Sequence, residues 1–195
     1  QNCDFMKNNY VNGCRTMHAQ QLLNFWFSPE HQPFWFAKSE AFDGKIRSLF
    51  SDLHLQARQA ELSAWRQTAE GSLAEIMVLD QLSRNLYRDQ AQAFAYDGMA
   101  LVLAQHAIQQ QFDMQLSPEQ RSFLYMPFMH SESKAIHVQA LELFQRLGNA
   151  IGLDFERQHK AIIDRFGRYP HRNAILGRES TAEELLFLTQ PNSGF

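Results

Sequence analysis

The sequence predicts an all-α protein, and three observations carry that prediction. Apolar residues recur every three or four positions along almost the whole chain, helix start and stop residues punctuate them, and no stretch alternates apolar with polar as a strand would.

Taken in order, "HAQQLLNFWF" (18–27) places apolar side chains at helical spacing until Ser28 and Pro29 interrupt it. The segment "AFDGKIRSLFSDLHLQARQAEL" carries Ile46, Leu49, Phe50, Leu53 and Leu55 on one or two further helices. In "GSLAEIMVLDQLSRNLYR" the apolar stripe is wide, so this helix is expected to meet more than one neighbour. The alanine-rich run 92–113 suits close helix packing.

Ser117, Pro118 and Gln120 form a proline-reinforced capping box, while Pro127, inside apolar sequence, is expected to kink or divide the helix that follows. A second stretch runs from about Ser131 to Gly148, which fits a C-cap, and "LDFERQHKAIIDRF" ends near Gly167. Ser180 with Glu183, or Thr181 with Glu184, would open a last helix. The result is roughly eight to ten helices on short polar turns. Periodicity alone leaves a bundle and an α/α solenoid equally open, and no 34-residue repeat is evident.

With 195 residues, 45% of them apolar, one core is expected, and the reading is a single helical domain over 16–195 behind a flexible leader, 1–15. Cys3 and Cys14, the only cysteines, lie in that leader; two thiols make neither a disulfide framework nor a thiolate metal site, so a reducing, cytoplasmic setting is expected. No apolar run is long enough for a membrane span. A formal charge of −3 disfavours nucleic acid as a partner and leaves room only for a local cationic pocket.

Three polar constellations stand out. In "LDQLSRNLYR", Asp80, Arg84 and Arg88 recur every four residues with Asn85 beside them. They read as an exposed acid–base ladder, as Asp80 orienting Arg84 toward a carboxylate or phosphate, or as a buried structural network. In "YMPFMHSES", His130, Ser131 and Glu132 follow an apolar run and would face a pocket; Ser131 or Ser133 reads as a cap, since triad members normally come from separate segments. His137 shares a broad face with His130, but with His159 and His171 far off in sequence no metal-ligand spacing is formed. The third is the run 165–180, where Arg165, Arg168, Arg172 and Arg178 surround His171 and Asn173. It reads as a well-capped scaffold loop or as an anion site, and it is not a Walker loop. The aromatics of "FWFSPEHQPFWF" read as core, with Trp26 or Trp35 as a groove rim if exposed.

Together "FWF…WF", "LDQLSRNLYR", "AFAYDGMALVLA", "YMPFMHSE" and "FGRYPHRNAILGRESTAEELLFL" resemble a widespread bacterial domain family of unknown function, over about His18 to Phe195. The resemblance implies a tetratricopeptide-like α/α superhelix of antiparallel helix pairs and brings no substrate, reaction or cofactor with it. Ser83 and Tyr169 stand where phenylalanine is more typical of that pattern.

The expected function is that of a binding module whose Arg84, Asn85, Arg88, Arg168, Arg172 and Asn173 line a groove for an anionic metabolite or acidic peptide. The alternatives are an enzyme using His130 or His171 as acid or base, with Asp80 or Glu132 as the supporting acid, and a purely structural or protein-interaction domain. No cofactor or metal is expected.

Overall fold

The computed structural model describes residues 19–194, and these form helices, 3-10 turns and loops with no strand among them. The expected leader with both cysteines lies outside the described residues. Helix α1 spans 19–26, α2 Glu40–Arg58 and α3 Ala69–Met77; α3 runs through a π-helical turn, Val78–Leu82, into the short α4, Ser83–Leu86. Then come α5 (Asp97–Gln109), α6 (Pro118–Met129), α7 (Lys134–Leu147), α8 (Ala150–Phe166) and α9 (Ala182–Leu188). No helix among the described residues is long and apolar enough to cross a membrane.

Several boundaries follow the expected chemistry. Ser117 and Gln120 exchange side-chain and backbone hydrogen bonds at the start of α6, and Gly148 and Gly167 end α7 and α8 at φ of 75° and 71°, where a side chain would be strained. Of the two boxes possible at α9, Thr181 with Glu184 is the one formed. Pro127 does not divide α6: it sits in the last turn, and although its missing N–H leaves the Phe123 carbonyl without its usual i+4 donor, the helix runs on to Met129. Ser133 occupies the N-cap position of α7 without a capping bond from its side chain.

The wide apolar stripe of 73–82 has its reason in the packing. Leu73, Ile76, Met77, Leu79 and Leu82 are fully buried because α3 is held by α5, α6 and the 3-10 turn Ser63–Gln67, while its π-helical extension lies against α2 and α5. The sequence α5–α6–α7–α8 packs neighbour on neighbour. Trp26 is fully buried and forms no groove rim, and Trp35 donates its indole N–H to the Trp26 carbonyl at 2.9 Å; both rings meet the edge of Phe123. A smaller cluster of Ile162, Ile163 and Tyr169, with Phe166 and Phe187, joins α8 to the C-terminal segment.

At Ser83, where the resemblance leads one to expect phenylalanine, the hydroxyl is buried and fully used. It donates to the Leu79 carbonyl at 2.6 Å and so is left to accept from His54 Nε2 at 2.8 Å. That places the His54 proton on Nε2 and leaves Nδ1 bare and buried between the rings of Tyr87 and Tyr96.

Two predictions follow from this packing. A Cβ on Gly71 would fall on the Trp65 carbonyl oxygen and lie 2.8 Å from Thr68 Oγ1, so Gly71→Ala should destabilise by about 2 kcal/mol, read from urea midpoints. Burial, reinforced by Arg58, lowers the His54 pKa to about 4. A group that charges more easily unfolded than folded contributes full stability above the unfolded value of about 6.5, and loses it as pH falls from there toward 4. The wild-type urea midpoint should therefore fall over that interval, and His54→Phe should flatten part of the fall; an unchanged slope would sink this account.

Candidate functional site

The π-helical turn decides where the central polar side chains go. One extra residue in the helical ladder shifts the faces that follow, so Asp80 and Gln81 both point inward and are buried, 0% and 6% exposed. Arg84 and Arg88, which a continuing helix would align behind Asp80, part company because α4 ends at Leu86 and Tyr87 takes φ of −123° and ψ of 34°. Arg88 turns to α2, where it forks onto Asp43 at 2.6 and 2.8 Å, joined by Asn85 at 2.8 Å. Arg84 stays with Asp80 and reaches Asp97 at the start of α5.

Asp80 is the hub. Its Oδ1 lies 2.7 Å from His130 Nδ1 and 3.2 Å from an Arg84 Nη, and its Oδ2 accepts from Gln81 at 2.6 Å. Burial opposes the carboxylate's charge, but Arg84 and His130 outweigh it and hold the Asp80 pKa well below the usual range. An ionised Asp80 requires a proton on His130 Nδ1. Burial, then Arg84, push the His130 pKa below its ordinary value, with Asp80 pulling the other way. The neutral ring is thus fixed as the Nδ1–H tautomer, and its Nε2, which has no hydrogen-bond partner among the described residues, is left as an acceptor.

Asp97 joins the two remote motifs. Its Oδ2 accepts from Arg84 at 3.2 Å and from Arg172 at 3.1 Å, while Oδ1 has an ion-pair contact with Arg84 at 3.1 Å that lacks hydrogen-bond alignment. Arg172 is 6% exposed and lies between two rings, 4.5 Å from the Phe94 centroid and 4.6 Å from that of Tyr169. Its Nε is buried with no partner, and burial holds its pKa below the ordinary value. Phe94, Asp97, Leu101, Pro127, His130 and Arg172 share the wall of one cleft of about 500 Å³. A second hollow of about 260 Å³, between α8 and α9, is lined mainly by Ala161, Ile162, Phe166 and Phe187 with Arg165 and holds no histidine or carboxylate.

The rest of the arginine-rich run is tied up structurally. Arg168 forks onto Glu184 at 2.7 and 2.8 Å; Asn173 is fully buried among Ser180, Glu184 and Arg178. Arg165 pairs with Glu183 at 2.7 Å on the surface. Glu132 borders the cleft but is clamped: it accepts from the Tyr169 backbone N–H at 2.7 Å and from both Nη atoms of Arg178 at 2.6 and 2.9 Å. Burial raises its pKa, and these donors more than reverse that. His171 is away from the cleft wall, its Nδ1 buried without a partner and its pKa lowered to about 4 by burial and Arg172. The structure therefore gathers Asp80, Arg84, His130 and Arg172 around one cleft and Glu132 at its edge, and sets Asn85, Arg88, Arg168, His171 and Asn173 elsewhere. Among the described residues no group of three or more His, Cys, Asp or Glu could hold a metal ion.

Asp97 was not anticipated from the sequence as a site residue, although it is the only Asp, Glu, Lys or Arg between Asp89 and Asp113. A lone charge in so apolar a stretch was the available signal. Phe94 and Tyr169 carried no such signal, because their roles depend on contacts across the fold.

The turn holding His130 is itself anchored from behind. Tyr169 donates its hydroxyl to the Met129 carbonyl at 2.6 Å, and His137 Nε2 donates to the Ser131 carbonyl at 2.8 Å. His137 Nδ1 faces Glu156 Oε1 at 2.8 Å, with both side chains fully buried, so one proton is shared between them. Removing only the hydroxyl in Tyr169→Phe should cost about 1 kcal/mol in denaturant unfolding and loosen the amide protection of 130–132 in hydrogen exchange.

No curated protein matches the chain. A solved structure of a protein of unknown function from Agrobacterium tumefaciens, ATU0120, is 39% identical, covering 89% of this chain and 97% of that one with a TM-score of 0.85. Residues 22–192 match a family described as bacterial protein of unknown function, DUF924, and the chain belongs to that family.

Proposed function

We propose that the cleft beside His130 and Arg172 binds a small molecule carrying a carboxylate or phosphate on an apolar body. One observation carries this reading: the Arg172 guanidinium is buried and charged in the cleft wall, yet its Nε has no acceptor, and a buried charged donor without a partner is costly. A ligand oxygen would supply that acceptor once a small shift of the Arg172 side chain turns Nε toward the cleft. The volume of about 500 Å³ lies within the usual range for small-molecule sites, and Phe94, Leu101, Pro127 and Leu176 offer an apolar wall for the rest of the ligand. The cleft's size favours a metabolite over an acidic peptide or nucleic acid.

A second reading is favoured by a specific geometry. A buried Asp that fixes the proton of His130 on Nδ1 leaves Nε2 as a base at the cleft wall, which is the arrangement general acid–base catalysis requires. In that case the cleft is an active site, and His130 moves the proton while Arg172 holds the anionic group. Asp80 positions the ring.

The wider reading is of one helical domain in which sequence-adjacent pairs, α6 on α7 and α7 on α8, begin an α/α superhelix.

Native mass spectrometry of the whole chain against a panel of carboxylates and phosphate monoesters tests the binding. Arg172→Lys keeps the charge between the two rings but lacks the planar fork, so it should retain at least tenfold less ligand while its thermal midpoint stays near wild type. A ligand held equally by wild type and Arg172→Lys would refute the proposed contact.

A further inference from the structure

Three cations and three carboxylates form the ion-pair network at the cleft's polar end: Arg172, Asp97 and Glu132 in its wall, and Arg84, Arg178 and Asp80 beyond the wall, paired to these or to one another. Their formal charges cancel. An anion entering such a site would leave it with an uncompensated negative charge in a largely desolvated wall, where Coulomb interactions are weakly screened.

One group at that end can change its charge to meet this. His130 faces Asp80 from the π-helical turn, Arg84 from α4, Asp97 from α5, His159 at 6.5 Å from α8, and Arg172 and His171 from the 3-10 turn Pro170–Arg172; Glu132 follows it in its own turn. Its Nδ1–H is already committed to Asp80, so an added proton goes on Nε2, the atom with no hydrogen-bond partner among the described residues. Nε2–H would then be a donor for a ligand oxygen.

We infer that the cleft takes up its anionic ligand together with one proton, which settles on His130 Nε2 and hydrogen-bonds the incoming carboxylate or phosphate oxygen. The balance is simple: one N–H bond forms, no bond in the ligand breaks, and solvent supplies the proton. The site thus recognises the equivalent of the undissociated acid while binding the anion that predominates at neutral pH. This rests on the binding reading above and adds the protonation state to it.

The sign follows from linkage. In the free protein burial and then Arg84 keep His130 neutral at neutral pH, and a bound anion raises its pKa. Between the free and bound values, affinity falls about tenfold for each unit rise in pH, and levels off on either side.

The test uses the whole chain labelled with ¹⁵N at histidine and backbone amides, with benzoate as the probe because it is a carboxylate on an apolar body. Cleft binding is read from the amides of Gly98 and Leu101, and His130 is assigned by the loss of its signals in His130→Gln. At neutral pH, saturation with benzoate should move the His130 Nε2 signal to its protonated position, with the half-saturating concentration rising about tenfold per pH unit; His130→Gln should bind more weakly and without that pH dependence. If the Gly98 and Leu101 amides respond while Nε2 stays unprotonated and affinity is flat with pH, the proton-coupled inference is overturned and the binding reading survives. If those amides do not respond at any pH, the binding reading falls and this inference with it.

Discussion

The ion pair and hydrogen bonds made by Asp80 are the constraint on which the site depends. A carboxylate with no solvent exposure is stable as an anion only if cations and donors surround it, and here they come from Arg84, His130 and Gln81. That requirement ties α4 to the end of α6. Through Arg84 it extends to Asp97 on α5, and through Asp97 to Arg172 in the C-terminal segment. Four parts of the chain are thus registered against one another by a single chain of charges, and the cleft opens where that chain reaches the surface.

The helices and many of their ends were legible in the sequence because caps and periodicity are local signals. Ser117 with Gln120, Gly148 and Gly167 act where their chemistry says they should. The π-helical turn was not legible: 73–88 carries an unbroken helical pattern, and the extra residue in the ladder is stabilised by burial on all sides rather than by any residue preference. Nor was the end of α4 at Leu86, where Tyr87 leaves helical geometry and separates Arg84 from Arg88, so that an apparent ladder of three charges resolves into two unrelated clusters.

The arginine-rich run 165–180 illustrates a different limit. Sequence shows the cations and cannot show which acids meet them. Glu184, Glu132 and Glu183 lie within the run's reach after folding and neutralise Arg168, Arg178 and Arg165, so most of its hydrogen-bonding capacity holds the C-terminal segment in place. Arg172 alone is delivered to the cleft, by the 3-10 turn that Tyr169 and Pro170 begin. Tyr169 joins the two roles, since its ring supports Arg172 while its hydroxyl holds the end of α6.

The two-atom fork of Arg178 on Glu132 has a mechanical consequence. It fastens the C-terminal segment to the turn after His130 by directional polar bonds, whereas the apolar patch beneath that segment is small. Such a fastening resists sliding, because a shift of one ångström misaligns both bonds, but it gives little resistance to peeling once water and salt reach the fork. The cleft therefore has one wall set in the main core and another held like a hasp, stiff in register and weak in tension.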